Sequence, residues 1–547
     1  MNKPPFAKLI LVTSISLALA ACGSSSDHHE APPTTPPPAA SLGDVFALTS
    51  ANRLLSFDRG APGTVRSSVA VTGLQSGERL LGIDVRPADG KLYGVGSSGR
   101  LYTIDAASGA ATLKSTLVAD AADTTAPFTA LAGTEFGVDF NPVADRLRIV
   151  GNTGQSLRIN VDTGATTTDG SINGGASNTA ISASAYTNSF AGTASTTLYG
   201  IDSANATLYV QNPPNNGTLA MPVPLGVAPD AVNGFDIDAR TNAGYLVATV
   251  GGARNLYSVN LAPATGANAA TLVGALAIGE DIRGIALRAT QAPAVLALSD
   301  DNRLLGFKPA TPNTIDSNTA ITGLAGGETL VGFDVRPKDG LLYGLTSNAR
   351  LVTIDPATGV ATVKATLAAD PADTTQPYAG LQGSAFAVDF NPVADRLRVI
   401  GNTGQSLRIN VDTGVTITDG NINRAGVAPV VTAAAYTNSI PNAATTQLFD
   451  VDGASAVLAL QNPPNDGTLV NVGALGVAVM GDGGMDIGSG ANGLVLAALR
   501  TAAGGPSTLY RVDLVSGAAV PVNGAGTPAT SVIGTGTGVR DIAIWMR

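Results

Sequence analysis

Short apolar runs alternate with turn-forming residues along the chain from about residue 45 onward. One unit reads LLGIDV at 80–85, LYGV at 92–95 and LYTID at 101–105, and it ends in GAATL at 109–113. The runs have the length of β-strands, glycine, aspartate, asparagine and proline separate them, and very few segments show a 3.6-residue period. The pattern therefore predicts an all-β protein built from antiparallel strands.

The chain contains a long internal duplication. Residues 45–288 recur at 295–544, and the most similar blocks keep an offset of 250, such as VDFNPVADRLR at 138–148 and again at 388–398. A repeat of this length indicates that each copy is a folding unit.

Within each copy the same four-strand phrase recurs at a spacing of about fifty residues, and later units begin near Gly137, Ser182, Gly234 and Gly284. Four short strands per unit are typical of a β-propeller blade. The first copy starts at Val45 with the second strand of a blade, and the missing inner strand is expected at 282–287; 539–545 would close the second copy in the same way. We therefore predict two five-bladed propellers in tandem. One ten-bladed ring is the alternative, because the link between 287 and 295 is short enough for a hairpin.

The N-terminus has the pattern of a bacterial lipoprotein. Lys3 and Lys8 precede an apolar stretch at 9–21 that is too short to span a bilayer, and LAAC at 19–22 resembles a lipobox. Cleavage there would leave Cys22, the only cysteine of the chain, as the lipid-carrying residue. Glycine rather than aspartate follows it, which favours the outer membrane. The predicted organisation is a lipoprotein signal peptide (1–21), a disordered tether (22–41), propeller 1 (42–290) and propeller 2 (291–547).

Composition narrows the range of partners. The formal net charge is −10 and becomes −12 once the two N-terminal lysines are removed, so nucleic acid is not an expected partner. The expected partners are the membrane, through the lipid anchor, and a protein or glycan ligand.

Two sequence blocks carry a family resemblance. VDFNPVADRLR at 138–148 and GNTGQSLRIN at 151–160 resemble the DUF4394 family, a domain of unknown function with propeller-like repeats. The resemblance covers nearly all of the chain after residue 42. It implies a propeller fold, and it implies no catalytic residue.

Histidine and cysteine chemistry is excluded from the propellers. The only histidines are His28 and His29, both in the tether, and the only cysteine precedes them. Catalytic triads, Cys-His dyads and zinc sites made of thiolate or imidazole therefore cannot form in the body.

A carboxylate recurs at one position of the inner strand in three of the five predicted blades of each copy. These residues are Asp84, Asp139 and Asp236, with Asp334, Asp389 and Asp486 as their counterparts. Since inner strands surround the propeller axis, the carboxylates are expected to converge there, where they would bind Ca²⁺ or another hard cation or supply the acids of a glycosidase. The alternative is structural, with each carboxylate accepting backbone N–H groups from the next blade.

A second candidate site is a dense polar block. It comprises Asn141, Asp145, Arg146, Arg148, Asn152 and Arg158, with Asn391, Asp395, Arg396, Arg398, Asn402 and Arg408 in the second copy. Its arginines would either form ion pairs that join strands or present a fork to a carboxylate or sugar-acid ligand.

The sequence leaves three hypotheses for function. The first is a lipid-anchored envelope protein that acts as a binding platform. The second is a carboxylate-dependent hydrolase of a glycan or lactone, with Ca²⁺ as the one cofactor that the sequence suggests. The third is a purely structural envelope component.

Overall fold

The computed structural model describes residues 42–288, 293–490, 492–524, 526 and 528–546. The predicted signal peptide and tether, with Cys22, lie outside the described residues. In the described ranges the strands are joined by turns and by three short 3-10 segments, Pro214–Asn216, Pro464–Asp466 and Pro528–Ser531. None of these ranges contains a helix long and apolar enough to cross a membrane.

The first copy forms 21 strands. They are β1 Val45–Thr49, β2 Arg53–Asp58, β3 Ala61–Ala70, β4 Leu80–Val85, β5 Leu92–Gly96, β6 Arg100–Ile104, β7 Ala111–Thr116, β8 Val118–Ala119, β9 Phe136–Asn141, β10 Arg146–Gly151, β11 Ser156–Ile159, β12 Ala165–Thr168, β13 Ile181–Tyr186, β14 Leu198–Asp202, β15 Thr207–Gln211, β16 Leu219–Pro224, β17 Asn233–Ile237, β18 Gly244–Val250, β19 Ala253–Val259, β20 Ala270–Ala275 and β21 Ile282–Leu287.

In its described residues the second copy forms another 21 strands. They are β22 Ala294–Ser299, β23 Arg303–Phe307, β24 Ser317–Ala320, β25 Leu330–Val335, β26 Leu342–Thr346, β27 Arg350–Ile354, β28 Ala361–Thr366, β29 Ala368–Ala369, β30 Phe386–Asn391, β31 Arg396–Gly401, β32 Ser406–Ile409, β33 Val415–Thr418, β34 Val431–Tyr436, β35 Leu448–Asp452, β36 Val457–Gln461, β37 Leu469–Ala474, β38 Gly484–Gly488, β39 Leu494–Arg500, β40 Ser507–Val512, β41 Ala519–Pro521 and β42 Val539–Trp545.

Each copy closes on itself as a ring of five sheets. In the first copy β21 pairs with β1, so the last strand completes the blade that the first strand begins. In the second copy β42 pairs with β22 in the same way. The inner strands β4, β9, β13, β17 and β21 are neighbours in a closed order, and so are β25, β30, β34, β38 and β42. The prediction of two five-bladed propellers is confirmed, and a ten-bladed ring is excluded.

The hydrophobic cores lie between neighbouring blades. One cluster combines Tyr93 and Leu101 from the second blade with Phe140 and Leu157 from the third. The rings of Tyr93 and Phe140 meet edge to face with their centroids 5.3 Å apart. A large apolar side chain buried in this way contributes about 1.5–3 kcal/mol. Because each blade packs both faces, the strands read as continuous apolar runs.

Two short pairings are parallel, so the prediction of antiparallel strands throughout is wrong there. β8 pairs with β12, and β29 pairs with β33. The chain leaves the outer strand of one blade and runs along the outer edge of the next blade before it enters that blade at its inner strand. It therefore meets the edge strand in the same direction, and the third blade of each propeller has five strands.

The inner strands approach one another closely at glycine. A Cβ atom at Gly82 would lie 2.5 Å from Cγ2 of Val138, and one at Gly137 would lie 2.3 Å from Oγ of Ser184. A side chain at either position would have to displace atoms of the neighbouring inner strand. The glycines therefore permit a narrow axis, and they bring residues two or three positions further along the inner strands close together.

The two propellers contact each other directly. Phe190, in the loop after β13, is buried in an apolar cluster of the second propeller. Oγ1 of Thr193 donates to the carbonyl oxygen of Gly493 at 3.2 Å, and Oγ of Ser489 donates to Oδ1 of Asn188 at 3.1 Å. We refer to this contact, made by 188–194 with 489–490 and 492–493, as the seam. It places the first propeller beside the axial opening of the second.

Candidate binding site at the propeller axes

The six aspartates predicted from the inner strands lie in two buried groups of three. In each group the members offer carboxylate oxygens that all lie within 4.8 Å of one another. We call these groups the axial trios; they are Asp84, Asp139 and Asp236 in the first propeller and Asp334, Asp389 and Asp486 in the second. Every member is at most 5% exposed. The sequence prediction that these carboxylates converge agrees with this geometry.

Each trio also joins blades through the backbone. Oδ2 of Asp84 accepts the N–H of Phe140 on β9 at 2.7 Å, and Oδ2 of Asp236 accepts the N–H of Leu287 on β21 at 2.6 Å. The second propeller repeats these bonds on its own inner strands. The carboxylates thus satisfy donors that would otherwise be buried without partners. A structural role is therefore built into the trios, whatever else they bind.

Burial raises the pKa of the trio carboxyls and so favours their protonated forms. Burial raises the pKa of Asp84 and Asp139 well above the ordinary value, and neighbouring carboxyls of the trio raise them further. Burial raises the pKa of Asp236 to about 7 and that of Asp486 to about 6. Three oxygen donors around one point match the preference of hard cations, which would replace these protons.

The second trio has a fourth acid nearby that sequence analysis missed. Asp541 on β42 is buried, and its Oδ2 accepts the N–H of Phe333 on β25 at 2.9 Å. Burial raises the pKa of Asp541 well above its ordinary value, and Asp486 adds to the effect. The first copy has Gly284 at the equivalent point of β21, so the second axis is the more acidic one.

The polar block serves mainly as a set of ties between blades. Arg148 is 1% exposed. Its guanidinium donates to Asp169 of its own blade at 2.5 Å and to Tyr186 and Asn215 of the next blade at 3.2 and 2.8 Å. Arg398 makes the equivalent bonds in the second propeller. These arginines have no guanidinium edge left for a ligand.

Asp145 and Asp395 form the other tie. Arg86, after β4, donates to Asp145 at 2.8 Å and to Asp162 at 3.0 Å, and both acids belong to the next blade. In the second propeller the hydrogen bond from Arg336 lowers the pKa of Asp395 to about 2. The remaining residues of the block contact nearby backbone, loop or ion-pair partners; they are Asn141, Arg146, Asn152 and Arg158, with Asn391, Arg396, Asn402 and Arg408.

The axial opening of the first propeller is largely filled. Arg59 donates to Asp238 at 2.5 Å and to Asp44 at 2.8 Å, and its guanidinium lies 4.9 Å from the ring centroid of Tyr245. The cavity that Asp84, Asp236 and Asp238 help to line has a volume of only about 20 Å³. That volume holds a single water or ion.

The axial opening of the second propeller is a pocket of about 280 Å³. Pro309 and Gly488 stand where the first copy has Arg59 and Asp238, so the ion pair between these two side chains is missing here. Two members of the second trio line the pocket, together with side chains from the surrounding loops. The lining residues used below are Asp334, Asp486, Ser439, Ser489, Trp545 and Arg240.

Sequence analysis missed the residues that distinguish the two openings. The available signal was the difference between the copies, since Asp238 is replaced by Gly488 two residues after a matching trio aspartate. Arg240 offered no signal, because it comes from the first propeller and reaches the pocket only across the seam.

The raised pKa of Asp236 makes stability depend on pH. Its carboxyl favours the folded state below the unfolded pKa of about 4, and this contribution is lost as pH rises through about 7. We expect Asp236→Asn, which keeps an acceptor oxygen and cannot ionise, to gain stability relative to wild type between pH 5 and pH 8, by at most roughly 4 kcal/mol. Urea unfolding at four pH values measures this difference, with the exposed Asp230→Asn as a surface control. Parallel pH profiles for wild type and Asp236→Asn would contradict the assignment.

A cation role for the axial trios predicts a specific thermal response. Added Ca²⁺ should raise the melting temperature more at pH 8 than at pH 5, because the cation must displace protons. The contribution of the first propeller should disappear in Asp84→Asn/Asp139→Asn/Asp236→Asn. Calorimetric melting over a Ca²⁺ series checks this, with K⁺ at equal ionic strength as the control. The cation role is to be abandoned if no Ca²⁺ concentration shifts the transition.

Comparison with known proteins agrees with the duplicated architecture. The domain of unknown function DUF4394 matches residues 53–286 and again residues 303–543. None of the curated proteins matches this sequence.

Three solved structures are among those to which this chain is similar. The extracellular domain of the hybrid two component system BT4673 from B. thetaiotaomicron has 10% identity and a TM-score of 0.25, covering 87% of this chain and 64% of that chain, so this chain spans less than two thirds of its length. The Dos1 propeller has 13% identity and a TM-score of 0.24, covering 65% and 92%. Virginiamycin B lyase from Staphylococcus aureus has 10% identity and a TM-score of 0.21, covering 67% and 92%. The propeller assignment rests on the strand topology, and the two matches to the family show that this chain belongs to the DUF4394 family, whose domain it carries twice.

Proposed function

We propose that this protein is exported, anchored by lipid to the bacterial envelope, and binds a small polar ligand in the axial pocket of the second propeller. The lipobox-like LAAC at 19–22 and the polar segment after it support the anchor. The pocket supports the binding role. A unit of a cell-envelope glycan is the ligand that fits this location and chemistry.

One observation carries the binding proposal. The two copies keep the same strands, trios and ties between blades, but their openings differ in volume, about 20 Å³ against about 280 Å³. In the first copy Asp238 lines the small opening and pairs with Arg59, and in the second copy Gly488 stands at the position of Asp238 and lines the larger pocket. The same scaffold thus occurs twice, and only the second copy has an opening large enough for a small ligand. This difference supports one ligand site per chain, in the second propeller.

The chemistry of the pocket suits a hydroxylated ligand. Asp334 and Asp486 present carboxyl groups, Ser439 presents a hydroxyl group, and the half-buried Trp545 adds an aromatic surface. The volume is near the lower end of the range for small-molecule sites, which corresponds to one sugar unit rather than a long chain. The tie from Arg398 to Asn465 joins neighbouring blades of the propeller that contains the site.

A carboxylate-dependent hydrolase is the second candidate. Asp334 and Asp486 both line the pocket, and burial raises the pKa of Asp486 to about 6, a value suited to a general acid. Against this role, both oxygens of Asp486 already accept backbone N–H groups, from Ile487 at 2.6 Å and Ile544 at 2.5 Å. Turnover of a bound glycan during the binding assay below would favour the hydrolase, and binding without turnover favours the binding platform.

Filling the pocket should abolish binding. Gly488→Asp restores the side chain that closes the first opening; a Cβ there would lie 3.0 Å from Cγ2 of Ile544, which needs only a small local shift. We expect glycans that bind the soluble chain beginning at Gly23 to bind this variant at least about tenfold more weakly. A screen of cell-wall and capsule glycans, followed by calorimetric titration of the hits, measures the effect.

The matched control is Gly279→Asp, which adds the same side chain at an exposed glycine with no neighbour within 4 Å. Its affinity should equal that of wild type, and both variants should melt as wild type does. Equal affinity of Gly488→Asp and wild type would place the binding site elsewhere. If no glycan binds wild type, the envelope protein is structural, or its ligand is a protein.

The lipid anchor predicts a dependence on Cys22. Cys22→Ser removes the thiol that would be acylated, so the protein should leave the membrane fraction and lose metabolic palmitate labelling. Fractionation of cells that express each form checks this, with Ser24→Ala as the control. Unchanged labelling of Cys22→Ser would refute the anchor and leave the pocket proposal intact.

A further inference from the structure

Arg240 belongs to the first propeller and lines the pocket of the second. It lies in the turn after β17, where its N–H donates to Oδ1 of Asp238 at 3.0 Å. Its carbonyl oxygen accepts the N–H of Gly490 from the second propeller at 3.2 Å. The backbone of Arg240 is therefore fixed at the seam by both propellers, and its side chain is exposed at the opening.

The charge of Arg240 is not neutralised by an ion pair in the described part of the chain. The other arginine that lines the pocket, Arg336, pairs with Asp395 at 2.6 Å and with Asp412 at 3.0 Å. Arg240 therefore supplies the uncompensated positive charge of this opening. Gly490 stands at the equivalent point of the second copy, so this loop carries an arginine in the first copy alone.

We infer that the ligand of the second propeller carries a carboxylate, as a sugar acid does, and that Arg240 of the first propeller binds this group. The inference rests on the proposed function and specifies its ligand. A guanidinium offers two parallel N–H donors that match the two oxygens of a carboxylate. Ser439, Asp334 and Asp486 then face the hydroxyl groups of the same sugar.

A carboxylate fits better than a phosphate. Among its described residues the opening has one arginine without an ion pair, Arg240, because Arg336 is paired with Asp395 and Asp412. A phosphate monoester carries up to two negative charges, and a single guanidinium balances only one of them. A carboxylate carries one charge, which the guanidinium of Arg240 balances.

The two propellers thus form one site. The second propeller supplies the cavity and the groups for hydroxyls, and the first supplies the cation that selects acidic ligands. The hydrogen bonds of Thr193 to Gly493 and of Ser489 to Asn188 keep these two parts in register.

Matched sugars test the inference on the full chain from Gly23 onward. Galacturonate and galactose differ by the carboxylate, as do glucuronate and glucose, and each is titrated by calorimetry or ligand-observed NMR. We expect at least one acid to bind about tenfold more tightly than its neutral partner. In 0.5 M NaCl the affinity of the acid should fall to about that of the neutral sugar, because salt screens the charge of Arg240. Arg240→Ala should reduce the affinity for the acid to that for the neutral sugar, and Arg240→Lys should retain part of the preference.

Arg288→Ala is the control, since Arg288 is an exposed arginine at the opening of the first propeller. It should bind both members of the pair as wild type does. Equal binding of acid and neutral sugar by wild type would overturn the role of Arg240 and leave the pocket proposal standing. An equal loss of both ligands in Arg240→Ala would also overturn it, because the residue would then only shape the site. Failure of all four sugars to bind wild type would overturn the sugar-binding proposal itself.

Discussion

The close approach of five strands around one axis is the constraint on which the structure depends. Little side-chain volume fits there, so glycines such as Gly82 and Gly137 occupy positions where a Cβ would strike the next strand. Backbone N–H groups of the inner strands nevertheless need acceptors, and the trio aspartates supply them across blades. The acidic axis is thus a consequence of the geometry, and burial raises the pKa of carboxyls such as Asp84 and Asp139 well above the ordinary value, which favours their uncharged form.

Buried polar groups away from the axis are paired in a different way. There, buried arginines join neighbouring blades, as Arg86 does with Asp145 and Arg148 does with Asn215. Buried charges are tolerated only when every donor is paired, and these guanidiniums are paired on both edges. The ties are the same in both copies, so the scaffold is symmetrical. The loops and the axial openings, which contribute little to closure, are where the copies differ.

The sequence predicted a structural feature correctly where that feature depends on the position of a residue along one strand. Ring closure could be predicted because the first copy begins at Val45 with an incomplete blade and ends with its missing strand. The convergence of the aspartates followed from a shared inner-strand position. The contacts of Arg86 could not be predicted, because its partner Asp145 is 59 residues away on another blade. The pocket was also hidden, since it results from a side chain that Gly488 lacks and from Arg240 of the other copy.

Because of the seam, a pocket lined by residues of both propellers forms within one polypeptide. A chain with a single copy would have to associate with a second molecule to place an arginine like Arg240 over its partner's cavity, and the site would form only at sufficient protein concentration. Joining both copies in one polypeptide makes that encounter intramolecular. The completed cavity would then be present in every molecule, however dilute the population.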